Sequence, residues 1–248
     1  MTTGPWVRFV GQNIKGTPAM SAAKVVHDLR AVKARADVFT VQEFKWPWYW
    51  RGLSRVLLKN WTTFPGKDQG LAHPIRGAQA IAWRNRRLTL VDAKSALLHD
   101  GQAHFSDDRF LRAVLLEPVD HQGFAAWFGG THFVVNGDKA TDSATGRAMM
   151  ATDLRNTGEF LDRLTATGYP IAFELDANIR VGNAAWLPFR RLVEDRGGRF
   201  HGSKGVEYLF TIPGTRSQLE VRNAWEIPTS ALFTDHEGRG VTLRVVRQ

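Results

Sequence analysis

At 248 residues with 43% apolar content, the chain is long enough to bury a substantial core without covalent help. It has no cysteine, which excludes disulfides, thiolate metal sites and cysteine nucleophiles, and no window has the apolar length needed to span a bilayer. The formal charge of +9 is uneven: residues 1–124 carry 18 Lys+Arg against 10 Asp+Glu, and residues 125–248 carry 15 against 14. Such an excess suits a polyanionic partner, nucleic acid or an anionic lipid surface, although a soluble arginine-rich chain from a GC-rich genome has the same look. The start, MTTGPWVRFVGQNIKG, has no basic segment followed by a long apolar run, so a cytoplasmic monomer is expected.

In chain order, Trp6 to Asn13 reads as a strand ending on an amide, followed by the loop Lys15-Gly16-Thr17. Thr17-Pro18 has the pattern of a cap with proline in the first turn, and Val25, Val26, Leu29 and Val32 keep helical spacing up to Ala36. Asp37 to Val41 is the next strand and runs into Gln42-Glu43, so strand, helix and strand make an α/β unit. The aromatic run KWPWYW follows at 45–50. Gln79 to Trp83, the basic turn Arg84-Asn85-Arg86-Arg87 and a strand from Leu88 predict a hairpin. Two more strands, Phe110 to Leu116 and Gly123 to Phe133, precede a long helix over roughly Ser143 to Leu164, whose Met149, Met150, Leu154, Phe160, Leu161 and Leu164 repeat with helical period. Strands are expected again at Val206 to Ile212, Leu219 to Trp225 and Val241 to Val246. No repeat, low-complexity tract or linker divides the chain, which predicts one domain over 1–248.

The stretch Pro170 to Arg180, PIAFELDANIR, is the most informative. A short apolar run ends in Asp176 and Asn178, two residues apart and therefore on one side of the strand, at the carboxyl end where α/β sheets bind ligands. Asp-x-Asn after a strand is also an ordinary turn or helix cap. Other polar residues stand at comparable strand ends: Asn13, Glu43, His132, Glu207 and the pair Asp235-His236.

The ordered set GQN at 11–13, VQE at 41–43, GAQAIAWR at 77–84, FLRAVLLE at 110–117, THF at 131–133, LDAN at 175–178, EYLF at 207–210 and TDH at 234–236 resembles the endonuclease/exonuclease/phosphatase superfamily. That superfamily has the deoxyribonuclease I-like fold. The resemblance covers the chain from end to end. It implies a four-layer α/β sandwich, two stacked mixed sheets with helices outside, and phosphoester hydrolysis by an in-line water assisted by Mg²⁺ or Mn²⁺. Asp176 would orient and deprotonate the water, and Asn178 would hold a phosphoryl oxygen. Glu43 with Asn13, and Asp235 in support, would hold the cation through oxygen ligands. His236 would be oriented by Glu207, while His132 and Arg112 would donate to the phosphate as charge develops. Singly, each residue has a structural reading: turn caps for the two Asn, an ion pair with Lys45 for Glu43, a buried strand histidine for His132, an ion-pair partner for Arg112.

Three departures from the superfamily pattern stand out. Phe173-Glu174-Leu175 replaces a small glycine-rich approach to Asp176, which implies bulk beside the site. Glu207 stands where aspartate is usual, so its pairing with His236 must shift or pass through water. Glu237-Gly238-Arg239-Gly240 replaces a small or proline-containing continuation. For substrate, Lys45, Trp48 and Arg51 after Glu43, together with Arg84, Arg86 and Arg87, suit stacking on bases and contact with phosphates. A nuclease acting on DNA or RNA is therefore the first expectation. The alternatives are a phosphatase or phosphodiesterase on a small-molecule or lipid phosphate, and a catalytically weak nucleic-acid-binding protein.

Overall fold

The structure, a computed structural model, describes residues 1–15, 20–43, 47–64, 79–101, 108–134 and 144–247. Its strands in chain order are β1 (Thr2–Thr3), β2 (Val7–Asn13), β3 (Val38–Gln42), β4 (Trp61–Phe64), β5 (Ala80–Arg84), β6 (Leu88–His99), β7 (Arg109–Pro118), β8 (Ala126–His132), β9 (Ile171–Asp176), β10 (Arg199–Lys204), β11 (Glu207–Ile212), β12 (Ser217–Ile227) and β13 (Gly238–Arg247). The helices are α1 (Ala22–Arg35), α2 (Pro47–Leu57), α3 (Ala144–Thr165) and α4 (Trp186–Glu194). One sheet has the order β1-β13-β2-β3-β5-β4 with β12 also on β13, and the other has the order β10-β11-β9-β8-β7-β6. Both are mixed, and they stack face to face with helices outside, which is the expected four-layer sandwich.

Alternation along the strands sorts the core into three layers. Phe9, Val38, Ile81, Val114, Phe128, Ala172 and Val241 point inward between the sheets. Val10, Phe39 and Val41 point out against Val25, Leu29 and Val32 of α1 and Leu53 of α2. On the other side Leu111, Ala113, Phe173 and Leu175 meet Met150, Phe160, Leu161 and Leu164 of α3 and Phe189 of α4. The helix α1 begins on Ser21, whose hydroxyl accepts the Lys24 backbone N–H, and ends with Lys33 and Arg35 beside the negative end of its dipole. The cap expected at Thr17-Pro18 lies outside the described residues.

Two parallel pairs decide where the chemistry is placed. β2 pairs with β3 across the α1 crossover, and β8 pairs with β9 across α3, so each pair delivers two carboxyl ends to the same pole. In register, Asn13 lies beside Gln42 and His132 beside Asp176, and β11 brings Glu207 opposite Asp176.

Two expectations are corrected. β5 and β6 lie in different sheets, so the turn at 84–87 carries the chain from one sheet to the other and is no hairpin. α4 and β10 occupy residues that pattern left unassigned; in WLPFRRLVE the proline sits in the first helical turn, where it blocks no hydrogen bond. Toward the polar pole the space between the sheets also changes character. Glu174 of β9 points inward there, accepting from Thr40 Oγ1 at 2.9 Å and from Gln42 Nε2. Gly11 of β2 faces it, and a Cβ on Gly11 would overlap Glu174 Cγ and Cδ.

Gly11→Ala should therefore overpack this layer and lower unfolding free energy by roughly 1–3 kcal/mol. Chemical denaturation of a Gly11→Ala/Glu174→Ala cycle checks the cause: the methyl should cost much less once Glu174 is truncated, and strictly additive losses would show that the two do not meet.

Candidate active site

Asn13 is the centre of the polar pole. Its Nδ2 donates to Glu43 Oε1 at 3.1 Å and to Asp176 Oδ2 at 3.0 Å, joining the ends of β3 and β9 across the two sheets, while its Oδ1 accepts from the Lys15 backbone at 2.9 Å. Asp176 Oδ1 accepts from the Asn178 backbone N–H at 3.1 Å. The Asn178 side-chain amide lies 3.0 Å from His132 Nε2 and donates to the Phe133 carbonyl at 3.1 Å. Glu207 Oε1 lies 2.6 Å from His236 Nδ1, and Asp176 Oδ2 is 3.8 Å from the same nitrogen. Asp235 pairs with Lys15 and stands 3.7 Å from His236 Nε2.

The backbone turns sharply at these strand ends. Lys15, Glu43 and Asn178 have φ of 53°, 57° and 51°, and among the described residues they are the non-glycine positions in the left-handed region. Such conformations cost of the order of 1–3 kcal/mol each where the side chain gives no local compensation, and they cluster where side chains must be aimed.

Burial sets the electrostatics. It raises the proton affinity of Asp176 and Glu207 above the usual carboxylate range, outweighing the neighbouring His236 and, for Asp176, the hydrogen bonds from Asn13 and Asn178. Glu174, fully enclosed below them, is raised further by burial and then by the charge of Glu207. Burial acts against a charge on His236, but the Glu207 hydrogen bond and the charges of Asp176, Glu207 and Asp235 outweigh it and lift its pKa to about 9. His236 is thus an imidazolium at neutral pH. Donor atoms of Asp176, Glu207 and His236 all lie within 4.8 Å of one another, a geometry in which a metal ion would have to displace the His236 proton. Glu43, outside that group, shares the Asn13 amide with Asp176, and this crowding of carboxylate oxygens suits a hard divalent cation.

The residues singled out in the sequence divide into two groups. Asn13, Glu43, His132, Asp176, Asn178, Glu207, Asp235 and His236 come together. Arg112 does not join them: it is buried between the sheets, donates to the Gln79 carbonyl, packs its guanidinium over Phe110 at 5.3 Å, and has its pKa lowered to about 10 by burial. The arginine that reaches the site is Arg109, earlier on the same strand and nearer the pole, with Nη1 2.6 Å from His132 Nδ1. Arg84 and Arg87 surround Asp37 at the opposite pole, and exposed Arg86 stands between them in sequence. Lys45 lies outside the described residues, as do the side chains of Trp48 and Arg51 on α2.

Two of the three departures are resolved, the first against expectation and the second by a direct pairing, one of the two outcomes expected. Phe173 and Leu175 face α3 and α4, not the cleft, so they add no bulk beside Asp176. Glu207 reaches His236 directly, without an intervening water. Sequence reading missed Asp28, whose two carboxylate oxygens accept from the Phe233 and Thr234 backbone at 2.8 and 3.0 Å and so hold the loop carrying Asp235-His236. Its signal was available, an acid on the apolar face between Val25, Leu29 and Val32.

No protein-family model matches the sequence, and no curated protein matches it. Solved structures do match over almost the full length. They include an endonuclease/exonuclease/phosphatase from Bacteroides vulgatus, 13% identical with TM-score 0.69 over 97% of this chain and 99% of that one. D. rerio TDP2 complexed with single-strand DNA product is 14% identical with TM-score 0.69 over 97% and 99%. The mannosyl-6-phosphatase Bt3783 of Bacteroides thetaiotaomicron is 13% identical with TM-score 0.66 over 96% and 99%. At these identities the likeness establishes the fold.

Because the folded pKa of His236 is raised, its ion pair contributes stability that is fully present below about pH 6.5 and is lost as pH rises through about 9. In metal-free protein, the His236 ring resonance should titrate near pH 9, and Glu207→Gln should move that midpoint down by about one unit or more. An unchanged midpoint in Glu207→Gln would show that the carboxylate does not hold the imidazolium.

Proposed function

We propose that this chain, which has the fold of the endonuclease/exonuclease/phosphatase proteins, is a divalent-metal-dependent phosphoester hydrolase, most readily a nuclease cutting DNA or RNA by in-line attack of water. The observation that carries the reading is the convergence on one pole of Glu43, Asp176 and Glu207 with two imidazoles and two amides, each side chain held by a named partner. Hydrolysis of a phosphoester needs a base for water, positive charge against the phosphoryl oxygens and a proton for the leaving oxygen.

Asp176 supplies the base. Its burial raises its affinity for a proton, and Asn13 and the Asn178 backbone fix both oxygens. His236, kept protonated by Glu207, places positive charge 3.8 Å from Asp176 and can give a proton to a departing oxygen. Arg109, which can only donate, makes His132 Nδ1 an acceptor and leaves its Nε2–H directed at the Asn178 amide, so His132 and Arg109 position the Asn178 side chain that would meet a phosphoryl oxygen. Glu43, with Asn13 and Asp176 beside it, would hold Mg²⁺ or Mn²⁺, which when bound neutralises phosphoryl charge and polarises the attacking or departing oxygen.

Net charge of +9 favours a polyanionic substrate, and a single-strand DNA product is bound by D. rerio TDP2, which shares the fold. A second reading rests on a different observation. An open cavity of about 310 Å³ lies beside His236, lined by Glu207, Asp235, Glu237 and Thr229, which is room for a small phosphomonoester such as a sugar phosphate.

A panel of plasmid, single-stranded DNA, RNA, phospholipid and sugar phosphates with Mg²⁺ or Mn²⁺ separates the two readings. Turnover should be greatest on nucleic acid and abolished by EDTA, and Asp176→Asn should lower it by about 10²–10⁴-fold. Near-wild-type turnover in Asp176→Asn would remove Asp176 as the base, and hydrolysis confined to sugar phosphates would favour the second reading.

A further inference from the structure

The positive charge of this chain is not gathered at the catalytic pole. Several arginines of the second half meet local acids: Arg190 with Glu194, Arg196 with Asp162, Arg239 with Glu226 and Arg244 with Glu220. At the opposite pole the first half behaves otherwise. There Asp37, buried, is shared by three guanidiniums: Arg8 Nε at 3.2 Å, Arg84 Nε at 3.4 Å and Arg87 Nη1 at 2.9 Å. Burial alone would raise Asp37, but the hydrogen bonds of Arg8 and the charges of Arg87 and Arg8 hold it below the usual range. Its single negative charge is therefore fully used.

More cations surround this triad. Arg84 Nη2 donates to the Lys33 carbonyl at 3.2 Å and its Nε to the Ala36 carbonyl at 2.9 Å, which seats the turn on the carboxyl end of α1. Lys33 donates to the Val56 carbonyl, and its pKa is lowered by burial and then by the charges of Arg84 and Arg30. Asn85 Nδ2 reaches the Lys59 carbonyl at 3.3 Å, and Arg87 Nη2 reaches the Trp6 carbonyl at 3.0 Å, so four separate segments form one continuous face. Arg30, Lys59 and Arg86 are exposed on it. Within these four segments Asp37 is the one carboxylate, and the adjoining turn, whose Val119 N–H donates to the Arg87 carbonyl at 3.0 Å, adds exposed Asp120 beside them.

From this we infer that the pole around Asp37 is a second anion-binding face, separate from the catalytic pole, that takes the phosphodiester backbone of a nucleic acid. Six residue steps along β3 and its flanks separate Asp37 from Glu43, roughly 20 Å of extended chain, so no small phosphate touches both poles. Crowded cations that outnumber the acids beside them lower stability unless a partner neutralises them. Guanidiniums fixed by backbone carbonyls present their remaining N–H groups in the paired geometry that phosphate oxygens accept. A membrane surface fits less well, because residues 6–8, 30–37, 59–61 and 84–87 expose no large apolar side chain and the adjoining turn exposes just Val119, too little apolar surface to enter the lipid. The inference concerns binding alone and stands or falls independently of any hydrolysis.

The test is equilibrium binding of a short labelled DNA duplex by fluorescence anisotropy in EDTA across a salt series, for wild type and for the exposed charge reversal Arg30→Glu/Lys59→Glu/Arg86→Glu. None of the three changed residues is among those that hold Asp37, so the fold should persist, with a thermal midpoint at or above that of wild type as the crowded charge is relieved. The variant should bind about tenfold or more weakly, and its log–log salt slope should become less negative by about 0.9 for each phosphate that it no longer neutralises. An affinity and slope equal to wild type would overturn the assignment. So would a wild type that binds phosphatidylserine vesicles but not the duplex.

Discussion

A single amide holds the two halves of the site together. Asn13 ends a strand of one sheet and donates to Glu43, which follows the neighbouring strand of that sheet, and to Asp176, from the other sheet. Most of the contact between the stacked sheets is apolar, which fixes their spacing but is indifferent to small slides. Directional bonds at the pole remove that freedom. Thr40 and Gln42 on Glu174 repeat the device one layer down, where only glycine at position 11 leaves room for the carboxyl group.

That arrangement concentrates acids where solvent cannot screen them. Asp176, Glu207 and Glu174 each hold protons more tightly than usual, and His236 gains charge from their company. Such a cluster stores an electrostatic demand for a cation or a phosphate-bound proton, which is what transition-state stabilisation uses. The three left-handed residues at Lys15, Glu43 and Asn178 belong to the same trade: the backbone is bent away from ordinary geometry so that the groups at strand ends face one another.

How much of this was legible follows from what a strand reveals. Apolar alternation placed the core strands, and the polar group closing each of β2, β8 and β9 marked the pole, because an ordered chain seldom spends a strand end on a buried amide or acid without reason. Period two also implied that Phe173 and Leu175 share a side opposite Glu174 and Asp176, yet their bulk invited the wrong side. Depth along a strand is a different matter. Arg112 and Arg109 lie on one strand, and only the register of β7 against β8 decides that the second, not the first, meets His132. Likewise the arginines of the turn at 84–87 suited phosphate contact in sequence, but which pole they face is decided by the antiparallel pairing of β5 with β3, which carries them to the far end.

The central claim is that water attacks phosphorus at the pole organised by Asn13. Hydrolysis of a phosphodiester in ¹⁸O-enriched water, followed by mass spectrometry of both products, tests it most directly. The account predicts one ¹⁸O atom on the phosphate product of the wild type and about 10²–10⁴-fold slower formation of labelled product by Asp176→Asn. Label in the alcohol product, or labelling of phosphate at an equal rate by Asp176→Asn, would contradict it.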